Sequence, residues 1–125
     1  MKEFENIYVI YGETFINEKI IGTISSILVS GLENPEKPLI AFANIEEENA
    51  AKFSARATDM ALSKGVNLGD VMRVASEKYG GKGGGHNVAA GAQVPIDQVE
   101  NFISTVNELV GKQLKGEEVG SNDNA

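Results

Sequence analysis

Residues 80–87 read Gly-Gly-Lys-Gly-Gly-Gly-His-Asn, and six of the twelve residues from 80 to 91 are glycine. Successive glycines can alternate left- and right-handed dihedrals and so turn consecutive main-chain N–H groups toward one point. Such a nest holds an anionic oxygen, and with no Cβ in the way a phosphate can approach the main chain closely. A flexible connector has the same composition. The run ends, however, on His86, the one histidine of the chain, and passes into the small residues Ala89-Ala90-Gly91. It is no P-loop, because Lys82 is followed by Gly83, and no Gly-x-Gly-x-x-Gly register fits through His86. A second anion-binding group stands upstream. In residues 52–57 (KFSARA) the alternation of a strand puts Phe53, Ala55 and Ala57 on one side and Lys52, Ser54 and Arg56 on the other. A guanidinium fork and a hydroxyl two residues apart can point into one cleft. Arginine, hydroxyl, nest and imidazole together would make a phosphate clamp. The same spacing also suits a surface ion pair of Arg56 with one of the many glutamates and an ordinary exposed strand position for Ser54.

The elements that must position these groups follow from periodicity. Residues 6–11 (NIYVIY) read as a buried strand ended by Gly12. Asn17 caps a helix whose apolar positions Ile20, Ile21, Ile24, Ile27 and Leu28 form one stripe, expected to be core, with Gly31 and Pro35 as stop signals. Residues 38–44 are a second strand, Glu46 to Glu48 a turn, and residues 52–57 the third strand. Asn67 and Asp70 have capping-box spacing for a helix burying Leu68, Val71, Met72, Ala75 and Tyr79. No regular element is expected over the glycines of residues 80–85, and a strand returns over residues 88–94. Asp97 and Glu100 open a last helix whose inner face is Val99, Phe102, Ile103, Val106, Leu109 and Val110. The order predicts an α/β fold: one domain over residues 1–114, with a mixed central sheet of about four to five strands flanked by helices. Residues 115–125 lack periodicity and read as a disordered acidic tail.

Composition bounds the chemistry. A chain of 125 residues is one domain's length, and with no cysteine it has neither disulfides nor thiolate sites. One histidine excludes any site built on two imidazoles. The net charge of −7 argues against a long polyanion lying along the surface. Positive charge is nonetheless concentrated: residues 52–82 hold six basic groups against three acidic ones, while both flanking segments are acidic. That distribution suits a small or end-bound anion. No apolar run approaches the roughly 20 residues that cross a bilayer, so a cytoplasmic protein with no membrane partner is expected.

Residues 52–57 taken with 83–92 (GGGHNVAAGA) resemble the C-terminal substrate-binding domain of the DHH phosphoesterase superfamily, marked by a Gly-Gly-His-x-x-Ala-Ala-Gly signature. Within it, the chain is most similar to the archaeal RecJ-like single-strand exonucleases, over about residues 5–112. A related domain ends alanyl-tRNA synthetases, where a residue other than histidine is expected at the position of His86. The resemblance implies a grip on substrate phosphate by Ser54, Arg56, Gly83, Gly84, Gly85 and His86. It also implies a DHH catalytic domain as partner, which carries manganese or magnesium on Asp and His residues that include an Asp-His-His triplet. This chain has no such triplet, so it is expected to hold no metal or catalytic residue and to bind a single-stranded nucleic acid or nucleotide for a hydrolase centre elsewhere. Two alternatives are a domain for small nucleotides, such as a cyclic dinucleotide or nucleoside bisphosphate, and a protein-interaction or dimerisation module using the Ile20 to Leu28 stripe.

Overall fold

The sheet has two unequal faces, one carrying the large core cluster and the other covered only in part. The computed structural model describes residues 1–119. Its strands are β1 (Lys2–Glu3), β2 (Tyr8–Glu13), β3 (Leu39–Ile45), β4 (Ala50–Arg56), β5 (Lys82–Gly85) and β6 (Ala89–Pro95). Its helices are α1 (Ile21–Leu28), α2 (Asp59–Ser63), α3 (Leu68–Lys78) and α4 (Val99–Leu114). The strands form one sheet in the order β1-β2-β3-β4-β6-β5, with β2 and β3 parallel and every other neighbouring pair antiparallel. The fold is the expected mixed α/β arrangement with six strands in place of four to five. The two additions are the short edge strand β1 and the glycine strand β5.

One face carries the main core. Ile40, Phe42, Phe53, Ala55, Ala92 and Val94 turn toward α2, α3 and α4, where they meet Leu68, Met72, Phe102 and Val106. Phe42, Phe53 and Phe102 form a continuous aromatic contact through this layer, with ring centroids 4.9 and 4.5 Å apart. The opposite face is covered only in part: Ile21 of α1, with Ile10 and Ile16, packs on Ala41 and Ala43 of β3.

Local signals explain some helix starts and fail at others. Asn67 caps α3 as its spacing predicts, its Oδ1 accepting from the Asp70 N–H at 3.2 Å. Thr58 caps the short α2 in the same way, which the sequence reading passed over. Asn17 does not cap α1. Its side chain accepts from the Lys19 N–H in a local turn, and the helix begins at Ile21. Asp97 falls in a 3-10 turn, Ile96–Gln98, ahead of α4, so the expected cap is absent there.

The Ile20 to Leu28 stripe is not core. Ile21 alone of the five is fully buried, while Ile20, Ile27 and Leu28 are 49%, 68% and 44% exposed. The helix packs through Ile21, Gly22 and Ser25 instead: Ile21 and Ser25 are fully buried and Gly22 lies against Arg56 and Ser54, so the rest of the stripe is turned away from the sheet. Residues 115–119 continue from α4, with the Glu117 N–H donating to Lys112 O and Val119 buried against the core. The rest of the expected tail, residues 120–125, lies outside the described residues. Among the described residues no helix is long and apolar enough to cross a membrane.

Candidate functional site

Because α1 packs over β3 and β4, the sheet beyond it toward β6 and β5 is left open as the floor of a cleft. Sheet register decides what that floor presents. Ser54 of β4, Gly91 of β6 and Gly84 of β5 lie in one row across the strands. Arg56 and Ala89 lie in the next row toward the β5–β6 turn, and Lys52, Gln93 and Lys82 in the row on the other side. Two glycines in the central row mean that the floor beside Ser54 is bare main chain, and nothing lies within 4 Å of where a Cβ on Gly84 would stand. A cleft of about 550 Å³ is lined by Arg56, Ser54, Lys52, Gly84, Gly85 and Gly91 below, with Lys19, Gly22, Thr23 and Ser26 of the α1 segment as its wall.

Arg56 is held in place before any ligand arrives. Its Nε donates to Ser26 Oγ at 2.9 Å, and its Nη1 donates to Ser54 Oγ at 3.0 Å and to Ala55 O at 2.9 Å. All three acceptors are neutral. Among the described residues no carboxylate lies within ion-pair distance of it, the ion pairs being Lys37 with Glu3 and Arg73 with Asp70. The surface ion pair that spacing alone allowed is therefore not made. A fixed guanidinium whose charge has no counterion is a preorganised anion donor. Gly22 makes room for it: a Cβ there would stand 3.3 Å from Arg56 Nη2 and 3.6 Å from Ser54 Oγ. Ser54 is 5% exposed, so its hydroxyl serves chiefly to fix the guanidinium.

The glycine run is neither a nest nor a free connector. Lys82–Gly85 pairs with β6 as an edge strand, and Gly84 and Gly85 have φ of +153° and +139°, a region that favours glycine. Alternate amides of an extended strand point in opposite directions, so those of Gly83, Gly84 and Gly85 do not converge on one oxygen. The turn at residues 86–88 is tied down on each side. The His86 N–H donates to Ala89 O at 2.8 Å, Asn87 O accepts from the Leu68 N–H at 2.9 Å, and Val88 O accepts from the Ala57 N–H at 3.0 Å.

Of the residues singled out by sequence, Ser54, Arg56, Gly84 and Gly85 line one cleft. Gly83 turns its Cα toward α3, where a Cβ would come within 2.6 Å of Met72 O and 2.8 Å of Ser76 Oγ, and its main chain borders the neighbouring hollow. His86 is exposed at the hairpin turn and is not among the residues lining the cleft. Tyr79 packs inward as the helix pattern predicts: its hydroxyl is 2.6 Å from Thr105 Oγ1 and its ring packs on the core. Sequence reasoning passed over Lys19, Gly22, Thr23 and Ser26, which only the crossing of α1 brings to β4. Lys52 was legible, since it shares the alternation phase of Ser54 and Arg56. Among the described residues no group of three or more His, Asp or Glu could hold a metal ion.

Residues 6–112 match the family model described as the DHHA1 domain. An uncharacterized protein of Methanocaldococcus jannaschii is 43% identical over 115 residues, which is 92% of this chain and 24% of that protein. The alanine–tRNA ligase of Leptospira borgpetersenii is 31% identical over 93 residues, 74% of this chain and 10% of the ligase. The chain thus spans a quarter or less of the length of these relatives. Among solved structures, the C-Ala domain of Aquifex aeolicus alanyl-tRNA synthetase superposes with a TM-score of 0.67 at 18% identity, covering 86% of this chain and 96% of that one. The pGpG-specific phosphodiesterase PggH of Vibrio cholerae gives 0.58 at 18% identity, covering 90% of this chain and 35% of that one. At such identities these two likenesses speak for the fold.

Proposed function

The chain belongs to the DHHA1 domain family, and we propose that it is the substrate-gripping domain of a DHH-type metal-dependent phosphoesterase of the RecJ-like kind. In this reading it holds the phosphate of a single-stranded nucleic acid or nucleotide while a separate catalytic domain, with manganese or magnesium, hydrolyses the ester in the cytoplasm. The carrying observation is Arg56, locked by three neutral acceptors, lacking a counterion, and facing a floor of bare main chain. Arg56 binds phosphate oxygens, Gly84 and Gly85 let the ligand lie against the sheet, and His86, on the adjoining turn, meets the group beyond the phosphate. His86 also favours the phosphoesterase branch over the synthetase branch, since the family resemblance leads one to expect another residue there in synthetases.

The test is titration of the chain with a 5′-phosphorylated mononucleotide, followed calorimetrically. Arg56→Ala should weaken binding by about 1.5 to 3 kcal/mol, roughly ten- to over a hundredfold, as loss of a charge-assisted hydrogen bond requires. The melting temperature should change little, because Arg56 is partly exposed and packs no core. Unchanged affinity at unchanged stability removes Arg56 from the site and the reading with it.

A further inference from the structure

The cleft does not end at the row of Ser54. Beyond it a hollow of about 490 Å³ runs along the same sheet face, sharing Lys52, Gly84 and Gly91 with the first and adding Lys82 and Gln93. We propose that Lys52 and Lys82 form a second anion subsite, so that the ligand gripped here carries at least two phosphates in a row. This inference rests on the reading of Arg56 as the first phosphate anchor.

Three observations carry it. The first is spacing. Lys52, Gln93 and Lys82 share one row, and two residues separate that row from the row of Ser54, Gly91 and Gly84. At ~3.3 Å per residue the rows are ~7 Å apart, and Lys52 stands ~13 Å from Arg56 along the strand, a run that asks for successive charges rather than one. The second is continuity. Gly84 and Gly91 leave the floor between the two hollows free of side chains, so a linear backbone can pass from one to the other without lifting off the sheet. The third is charge. In a chain of net charge −7, neither hollow has a carboxylate in its lining, and together they gather Lys19, Arg56, Lys52 and Lys82. Other hollows of the surface carry carboxylates: Asp70, Glu117 and Glu118 in one, and Glu48 in another.

The track also has an end. Gln93 donates from Nε2 to Glu48 Oε1 at 2.9 Å, which places the Glu46–Glu48 turn directly past the second subsite. A phosphate beyond the second subsite would meet like charge, so affinity should stop rising once both subsites are filled.

The experiment titrates the full chain with 5′-phosphorylated oligothymidylates of one to six nucleotides. For the unaltered chain, affinity should rise about tenfold from the mononucleotide to the trinucleotide and then level off. The Lys52→Ala/Lys82→Ala double variant should lose that rise, bind the mononucleotide within about twofold of the unaltered chain, and show a salt slope for the trinucleotide lower by about 1.4. Both lysines are exposed, so its melting temperature should be retained. A double variant that keeps the rise with length overturns the second subsite, as does one that loses the same factor on the mononucleotide as on the trinucleotide. Affinity that keeps climbing to six nucleotides overturns the stop at Glu48. Arg56→Ala reports separately: if it leaves the mononucleotide untouched, or if no oligomer binds the unaltered chain, the first anchor fails as well.

Discussion

Arg56 was legible in the sequence as one member of an alternating strand, and Ser54 with it, because a period of two fixes which side chains share a face whatever the rest of the chain does. Their mutual contact followed. What holds Arg56 still did not: Ser26 comes from a helix 30 residues away, and Gly22 is visible only as the absence of a Cβ beside Nη2. This gives Gly22→Ala an unusual pair of expected effects. Alanine is the better helix former by up to about 1 kcal/mol, so the protein should melt at the same temperature or higher. The new methyl would sit 3.3 Å from Nη2, tighter than an ordinary contact, so the guanidinium must give by a few tenths of an ångström from the position its three hydrogen bonds set. Affinity for a phosphorylated mononucleotide should then fall severalfold. Parallel thermal melts and titrations check both halves, and an intact affinity would show that the guanidinium tolerates displacement and is not preorganised by this helix.

At the scale of elements, the apolar runs of the sequence showed four of the six strands, β2, β3, β4 and β6, and the glycines of residues 80–85 stood out as the anomaly among them. Four glycine-rich positions, 82–85, carry neither β-branched residues nor alternation, so β5 could not be read as a strand. At Gly83, α3 and β6 both approach too closely for a side chain. A Cβ on Gly83 would meet Met72 O at 2.6 Å, Ser76 Oγ at 2.8 Å and Ala92 Cβ at 2.9 Å, two of them on α3. Gly83→Ala should therefore push the strand off the helix and cost about 1 to 3 kcal/mol, read from the urea midpoint. Gly84→Ala offers the contrast. Nothing crowds its Cβ, so any loss there comes from its φ of +153°, of order 1 kcal/mol. Equal costs at the two positions would mean that backbone conformation, not the approach of α3, makes this strand glycine. The α1 stripe failed for another reason: periodicity finds an apolar face but not which face turns inward, and α1 packs on the sheet through Ile21, Gly22 and Ser25.

Across the whole molecule, the charge segregation read from the sequence became a geometric one, with the basic cleft on the open sheet face and carboxylates concentrated elsewhere. Tyr11 shows what that costs on the other side. It lies on β2 with its ring edge-on to Phe42, centroids 5.3 Å apart, and its hydroxyl donates to Glu100 Oε1 at 3.2 Å, tying the sheet to α4. Burial, the negative charge of Glu100, the hydrogen bond to it and, least, the charge of Glu13 together push its pKa from 10.0 up to about 12. The folded state thus keeps the phenol protonated where the unfolded chain has begun to ionise. Folded protein binds more protons over that window, so stability falls as pH rises from about 10 to about 12, and the contribution is fully present below pH 10. Tyr11→Phe keeps the ring on Phe42 and removes the ionisation. Urea midpoints measured for both proteins from neutral pH upward should run parallel to about pH 10 and converge or cross above it, the unaltered protein losing more. Curves that stay parallel to pH 12 would show that the phenol is not held neutral by its burial and by Glu100, and that the link between β2 and α4 rests on packing alone.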